Sequence, residues 1–158
     1  MGAESHEVWV KKKDVEKHCW KNGWIDENVV DDCHIKEEFF DAHFENVEGE
    51  VLDVAKAAGV PLLKDGEKDG SADYVFILDG NRTMAVIGKC QELIHESIMI
   101  CSDDEYAKSE TRKVLGYANE GWDDGIPRTL CLLLERLKNI KRAMDKHPDC
   151  LLVVEIAW

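Results

Sequence analysis

The sequence predicts an α+β domain (a mixed α/β arrangement), with a mixed sheet of about four to five strands flanked by amphipathic helices in two or three layers. Short apolar runs alternate along the chain with segments of helical periodicity. Two of these runs, at 74–78 and 83–87, are joined by Asp-Gly turn chemistry typical of an antiparallel hairpin. Because 44% of the 158 residues are hydrophobic and no long linker divides them, we expect residues 1–158 to form one domain.

Five segments are candidate strands. His6–Val10 alternates enough for a short strand. The hairpin 74–87 would consist of Tyr74–Leu78 and Thr83–Ile87, both apolar throughout and therefore covered on both faces. Ser97–Cys101 and Leu151–Ile156 are the other apolar runs predicted to join this sheet. An antiparallel hairpin argues against a purely parallel, doubly wound sheet.

Three longer segments have helical periodicity. The first covers 35–58, with Gly49 as a candidate break. Its apolar stripe consists of Ile35, Phe39, Phe40, Phe44 and Val47. The second, 103–119, follows a capping box formed by Ser102 and Glu105. The third, 127–146, is the most strongly amphipathic and holds the basic side chains on its polar face.

Negative charge is concentrated in one stretch of the chain. Residues 26–58 carry eleven carboxylates against two lysines, a net −9 of the total −13. Five of these carboxylates lie off the apolar stripe: Glu37, Glu38, Asp41, Glu45 and Glu48. Exposed helices usually mix charge signs and gain stability from i,i+4 ion pairs, which this face gives up. The face is therefore either a solubility device or a binding surface for a basic partner protein.

Composition also excludes several classes of partner. A net negative chain is poorly suited to direct binding of nucleic acid or of anionic membranes. No apolar run approaches the roughly 20 residues of a membrane span. We expect a cytoplasmic protein, because the first residues lack the apolar core of a signal peptide.

The six cysteines are dispersed and include no Cys-x-x-Cys pair, so we expect reduced, buried thiols rather than disulfides. The two mixed pairs, His18-Cys19 and Cys33-His34, lack the ligand spacing of structural zinc sites. We therefore predict no metal site and no cofactor, and no group of residues identifies a catalytic residue.

The segment around the predicted hairpin is similar to one known family. Ser-Ala-Asp-Tyr-Val-Phe-Ile-Leu-Asp-Gly at 71–80, followed by Met-Ala-Val-Ile-Gly-Lys at 84–89, resembles the metal-binding hairpin of restriction-endonuclease-like nucleases over about twenty residues. The resemblance implies that Asp73 opens one strand and Lys89 closes the next, around a divalent ion. Ile87 stands where the family has its metal-binding carboxylate, so the resemblance implies a degenerate site.

Three functional hypotheses follow from these observations. We favour a small acidic cytosolic binding protein, such as an inhibitor, an immunity-type protein or a nucleic-acid mimic, that presents its Glu/Asp-rich face to a basic partner protein. The first alternative is an enzyme with a dispersed active site, including the degenerate hairpin with Asp73 and Lys89. The second is a subunit of a larger assembly, which would expose apolar surface. Tryptophans predicted to be exposed in that case are Trp9, Trp20, Trp24, Trp122 and Trp158.

Overall fold

A four-stranded antiparallel sheet organises the part of the chain that the computed structural model describes, residues 2–15, 43–100 and 125–158. Its strands are β1 (Glu4–Lys11), β2 (Leu62–Lys64), β3 (Asp73–Leu78) and β4 (Cys150–Ala157), in the spatial order β1-β4-β3-β2. The α+β prediction is confirmed, as are the strands predicted at 6–10, 74–78 and 151–156. Among the described strands every pairing is antiparallel, so the sheet is not mixed.

Four α-helices and a short 3₁₀ turn accompany the sheet in the described ranges. They are α1 (Glu48–Ala57), α2 (Gly66–Asp69), α3 (Gly80–Ile100) and α4 (Gly125–Lys146), with the 3₁₀ turn at Lys12–Asp14. The strongly amphipathic helix predicted at 127–146 is confirmed as α4. None of the helices in these ranges has the length and apolarity needed to cross a membrane.

Strand β4 lies between β1 and β3 and contributes to two cores. It pairs with eight residues of β1 and six of β3. Because successive side chains of a strand point to opposite faces, β4 directs Leu152, Val154 and Ile156 to the face that carries α1, α3 and α4. Val153 points to the other face, where it is buried with Val8, Val10, Val75 and Ile77.

The predicted hairpin 74–87 is wrong, because Thr83–Ile87 lies inside helix α3. Asp79 begins this helix: its Oδ1 atom accepts a hydrogen bond from the Arg82 amide at 2.7 Å. The Thr83 hydroxyl donates to the Asp79 carbonyl at 2.7 Å. The helix buries a stripe at 3.6-residue spacing, made of Thr83, Val86, Ile87, Cys90 and Leu93. Asp-Gly thus caps a helix here instead of turning a hairpin.

Helix α3 overturns two further predictions. The strand predicted at Ser97–Cys101 is wrong, because residues 97–100 form the end of α3. Cys101 itself lies outside the described residues. The nuclease-like arrangement is also wrong, because Lys89 lies in a helix and forms an ion pair with Glu92 at 3.2 Å. Asp73 opens β3, where it pairs with Lys64 at 3.5 Å. The helix predicted at 103–119 lies outside the described residues.

The helix predicted over 35–58 is not continuous in its described part. Residues 43–47 form a turn, in which Asn46 adopts a left-handed conformation with φ 70°. Asparagine tolerates this region better than most residues. Helix α1 then begins at Glu48, so Gly49 lies in its first turn and does not break it. Residues 35–42 lie outside the described ranges.

Substitution of Gly66 tests the packing between α2 and β3. A Cβ atom at Gly66 would lie 2.4 Å from the Asp73 nitrogen and 2.6 Å from the Ala72 carbonyl carbon. Because these are backbone atoms that cannot rotate away, we expect Gly66→Ala to lower the free energy of unfolding by about 1–3 kcal/mol. Gly88→Ala is the control, since nothing lies within 4 Å of its Cβ position in α3. It should stabilise by up to about 1 kcal/mol through helix propensity. Urea denaturation that ranks the two variants the other way would contradict this packing.

Candidate functional site: an acidic pocket beside strand β1

A concave pocket of about 390 Å³ lies between β1 and the turn that precedes α1. Six residues line it: Glu4, Ser5, Glu7, His43, Glu45 and Glu48. Four of the six are carboxylates, and neither lysine nor arginine is among them. We call this surface the acidic pocket. Its composition suits a cationic group, because several carboxylates around a concavity concentrate negative potential there.

A hydrogen bond from the turn to β1 holds the two walls of the acidic pocket together. Glu7 Oε1 accepts from the Phe44 amide at 2.7 Å, across 37 residues of sequence. Phe44 and Val47 anchor the same turn, with side chains that are fully buried in the main core. A charge-assisted bond to a partly buried amide is stronger than one between neutral groups. The Glu7 carboxylate is therefore held in place as part of the pocket wall.

Glu48 is the second pocket carboxylate that a backbone amide holds in place. Its Oε1 atom accepts from the Asn46 amide at 3.0 Å. Glu48 is also the first residue of α1, whose N-cap residue, Val47, offers no side-chain acceptor. A negative charge at a helix N-terminus interacts favourably with the helix dipole. Glu48 thus serves the local fold as well as the charge of the pocket.

Helix α4 reaches the acidic pocket through Arg136. One terminal nitrogen of its guanidinium lies 3.5 Å from Nδ1 and 3.4 Å from Nε2 of His43. A nitrogen equidistant from both ring nitrogens cannot lie in the ring plane, because Cε1 stands between them. This nitrogen therefore lies over the imidazole face, a position that arginine favours beside aromatic rings. The basic helix contacts the rim of the acidic pocket in this way.

The structure places two of the five predicted site residues in the acidic pocket. Glu45 is exposed and Glu48 is half-buried. Glu37, Glu38 and Asp41 lie outside the described residues, so their role remains a prediction. Sequence reasoning missed the other lining residues, at 4, 5, 7 and 43. No local sequence pattern identifies them, because the contact between β1 and the turn joins residues that are far apart in the chain.

No group of three or more His, Cys, Asp or Glu side chains in the described ranges is arranged to hold a metal ion. The mixed pairs at 18–19 and 33–34 lie outside those ranges. The expectation that the chain has no metal site therefore stays a prediction.

Three described cysteines carry free thiols, and they differ in exposure. Cys90 and Cys150 are buried as expected, but Cys131 is exposed, so the prediction of a buried thiol is wrong there. Cys131 lies on the outer face of α4, opposite the leucines of the core. Burial, with a smaller contribution from Cys131, raises the pKa of Cys90 to about 12. The Cys90 thiol also donates to the Leu130 carbonyl at 3.3 Å, so this cysteine is a packing residue.

The rate at which an alkylating reagent modifies each cysteine should follow the exposure of its thiol. Because the thiolate is the reactive form, iodoacetamide at neutral pH should modify Cys131 in the folded protein and leave Cys90 unmodified. Cys90 and Cys150 should react only after denaturation. Peptide mass spectrometry of samples labelled before and after addition of urea measures how much of each cysteine is modified in the native and in the unfolded protein. Equal labelling of Cys90 and Cys131 in the native protein would contradict the placement of α3 against α4.

Asp53 on α1 has an unusual carboxyl group that the sequence did not reveal. Burial raises its pKa to about 6, against the opposing effect of Lys56 and with a smaller contribution from Glu50. Nearby, the Lys56 ammonium lies 4.9 Å from the centre of the Tyr74 ring and 3.8 Å from a Glu67 oxygen. Asp53 does not line the acidic pocket. Its raised pKa reflects the packing of α1 against the sheet.

The raised pKa of Asp53 predicts how stability depends on pH. An unfolded Asp has a pKa of about 3.9, so between about pH 4 and 6 the folded chain binds more protons at this site than the unfolded chain. Stability due to this group is therefore lost as the pH rises through that window. Asp53→Asn should raise the free energy of unfolding at pH 7.5 by up to about 1 kcal/mol, given solvent screening at a half-exposed site. The two proteins should be alike near pH 4. A gain that grows towards low pH in urea titrations would contradict the assignment.

Exposed apolar side chains bear on the assembly hypothesis. Trp9 is 5% exposed and belongs to the core, so the prediction that it is exposed is wrong. Trp158 is 61% exposed and its ring lies against Gly49 of α1. Leu63 and Met84 are the other large apolar side chains exposed in the described ranges. Trp20, Trp24 and Trp122 lie outside those ranges.

Comparison with known proteins finds no match to a protein-family model, to a curated protein or to a solved structure. Among the described residues, the acidic pocket combines concave shape with concentrated charge of one sign.

Proposed function

We propose that this chain is a small acidic binding protein whose acidic pocket and adjoining carboxylates bind a basic partner protein. The observation that carries the proposal is the convergence of Glu4, Glu7, Glu45 and Glu48 around one concave surface. These residues come from two parts of the chain that are distant in sequence. Folding therefore concentrates the acidic charge instead of dispersing it.

The charge of the neighbouring sequence supports the same surface. Residues 26–58 hold a net −9, and Glu45 and Glu48 belong to that stretch. We include Glu37, Glu38 and Asp41 in the proposed surface on the basis of their position in the sequence. A field of this kind accelerates association with a basic protein more than it strengthens the final complex. Inhibitors, immunity-type proteins and nucleic-acid mimics share this physical requirement, in the cytoplasm or elsewhere.

The fixed geometry of the pocket supports recognition as its role more than solubility. Charges that serve only solubility need no defined position, because long-range repulsion between molecules is enough. Here Glu7 and Glu48 are each held by a backbone amide, at 2.7 Å and 3.0 Å. Recognition benefits from such preorganisation, since less side-chain entropy is lost on binding. The arrangement therefore favours a binding surface.

Charge reversal at the two exposed glutamates tests the proposal. Among the described residues, the side chains of Glu4 and Glu45 line the pocket and accept no hydrogen bond, so Glu4→Lys/Glu45→Lys should fold normally. The control is Glu67→Lys/Glu92→Lys, which changes the net charge equally at exposed sites elsewhere. It also removes the ion pairs with Lys56 and Lys89, but exposed pairs of this kind contribute little to stability. Each protein serves as bait for lysate of the encoding organism at low salt. The protein retained by wild type and control is then purified for stopped-flow measurement.

We expect the pocket variant to associate with that protein at least about tenfold more slowly than the control at low salt. The difference should shrink as salt rises, because exposed charges are screened over about 8–10 Å at physiological ionic strength. Equal rates for the two double variants would show that only net charge matters. Retention of no basic protein by wild type would contradict the proposal directly.

A further inference from the structure

The outer face of α4 carries a regular stripe of exposed side chains, most of them charged. Six residues that follow one another at helical spacing are exposed along this face: Arg128, Cys131, Glu135, Lys138, Arg142 and Asp145. The opposite side of α4 is buried in the main core through Leu130, Leu133, Leu137, Ile140 and Met144. We call these six exposed residues the outer stripe.

The outer stripe is complementary to itself when it is reversed. A two-fold axis between residues 136 and 137 relates position 128 to 145, and position 135 to 138. In an antiparallel pair of α4 helices, Arg128 of one copy would then face Asp145 of the other, and Glu135 would face Lys138. The same relation places Cys131, a small side chain, opposite the long Arg142. One axis thus satisfies four ion pairs at once, as isologous interfaces require.

Two of these charges are placed against the dipole of their own helix. Arg128 lies in the first turn of α4 and Asp145 in the last. A helix dipole favours the opposite signs, acidic near the N-terminus and basic near the C-terminus. The helix dipole therefore does not account for this placement, although Lys141 pairs with Asp145 within α4. A partner helix that runs antiparallel does, because it brings each charge beside one of opposite sign.

The charges needed for this contact are available. Arg128, Glu135 and Lys138 form no ion pair within the described ranges. Asp145 pairs with Lys141 on its own helix, but its side chain is still 64% exposed. Across its whole length α4 has six cations and two carboxylates, a net +4 in a chain of net −13. The outer stripe itself holds three of these cations and both carboxylates, a net +1, so two stripes that face each other meet with little repulsion between like charges.

We propose that the chain forms a two-fold symmetric dimer through antiparallel packing of the outer stripe of α4 on that of a second copy. The mixed signs of the stripe fit a helix of the same pattern better than a uniform polyanion such as nucleic acid. Exposed ion pairs contribute little individually, so the dimer should be weak, with a dissociation constant of about 10–1,000 µM. This interface is separate from the acidic pocket and does not depend on the function proposed for that pocket.

Charge exchange across the axis tests the proposal. Glu135→Lys places two lysines opposite each other at both symmetric positions, and Lys138→Glu places two glutamates there. Each single variant should raise the dissociation constant at least about tenfold. The double variant Glu135→Lys/Lys138→Glu restores opposite charges and should return to within about threefold of wild type. An equimolar mixture of the two single variants should form a heterodimer for the same reason.

The measurement is sedimentation equilibrium from 5 µM to 1 mM in 100 mM salt, with circular dichroism to confirm helix content. Arg128→Asp and Asp145→Arg test the second ion pair in the same way. Each single variant should weaken the dimer, and the double variant should recover the wild-type dissociation constant. A wild-type chain that stays monomeric at 1 mM overturns the proposal. Failure of either double variant to recover overturns it as well, as does binding of a duplex oligonucleotide in place of self-association.

Discussion

Strand β4 imposes the constraint on which the other elements depend. Its backbone pairs with β1 on one side and with β3 on the other, and its alternating side chains contribute to a core on each face of the sheet. A shift of one residue would exchange Leu152, Val154 and Ile156 for their neighbours and reverse both faces. The positions of α1, α3 and α4 follow from this register, because these helices share the core that the three residues define.

The acidic pocket depends on the same strand through β1. Pairing of Glu7 with Val154 fixes where the Glu7 carboxylate can reach, and that carboxylate receives the Phe44 amide. The turn at 43–47 is then anchored by Phe44 and Val47 in the main core, which directs the side chains of His43 and Glu45 into the pocket lining. The fold thus converts acidic residues from two distant parts of the sequence into one surface. Their concentration, more than the net charge of −13, is what a basic partner would detect.

The sequence predicted the fold class and the amphipathic helix α4, because both depend on clear local periodicity. It misassigned 83–87, where an apolar run of five residues fits a strand and a helix equally well. The deciding signal was the continuation of the buried spacing to Cys90 and Leu93, together with the capping role of Asp79. The pocket could be predicted only in part. Glu45 and Glu48 follow from the charge pattern, whereas Glu4 and Glu7 join them through contacts that no local pattern encodes.

The electrostatic potential at the acidic pocket tests the central claim most directly. Cationic and anionic nitroxide probes of similar size relax protein protons in proportion to their local concentration, which the surface potential determines. We predict that protons of Ser5, His43 and Glu45 are relaxed several-fold more by the cationic probe, relative to the average over the described surface. Protons of Lys138 on the outer stripe of α4 should show a smaller or opposite preference. A probe ratio at the pocket equal to the surface average would contradict the claim that the fold concentrates negative charge there.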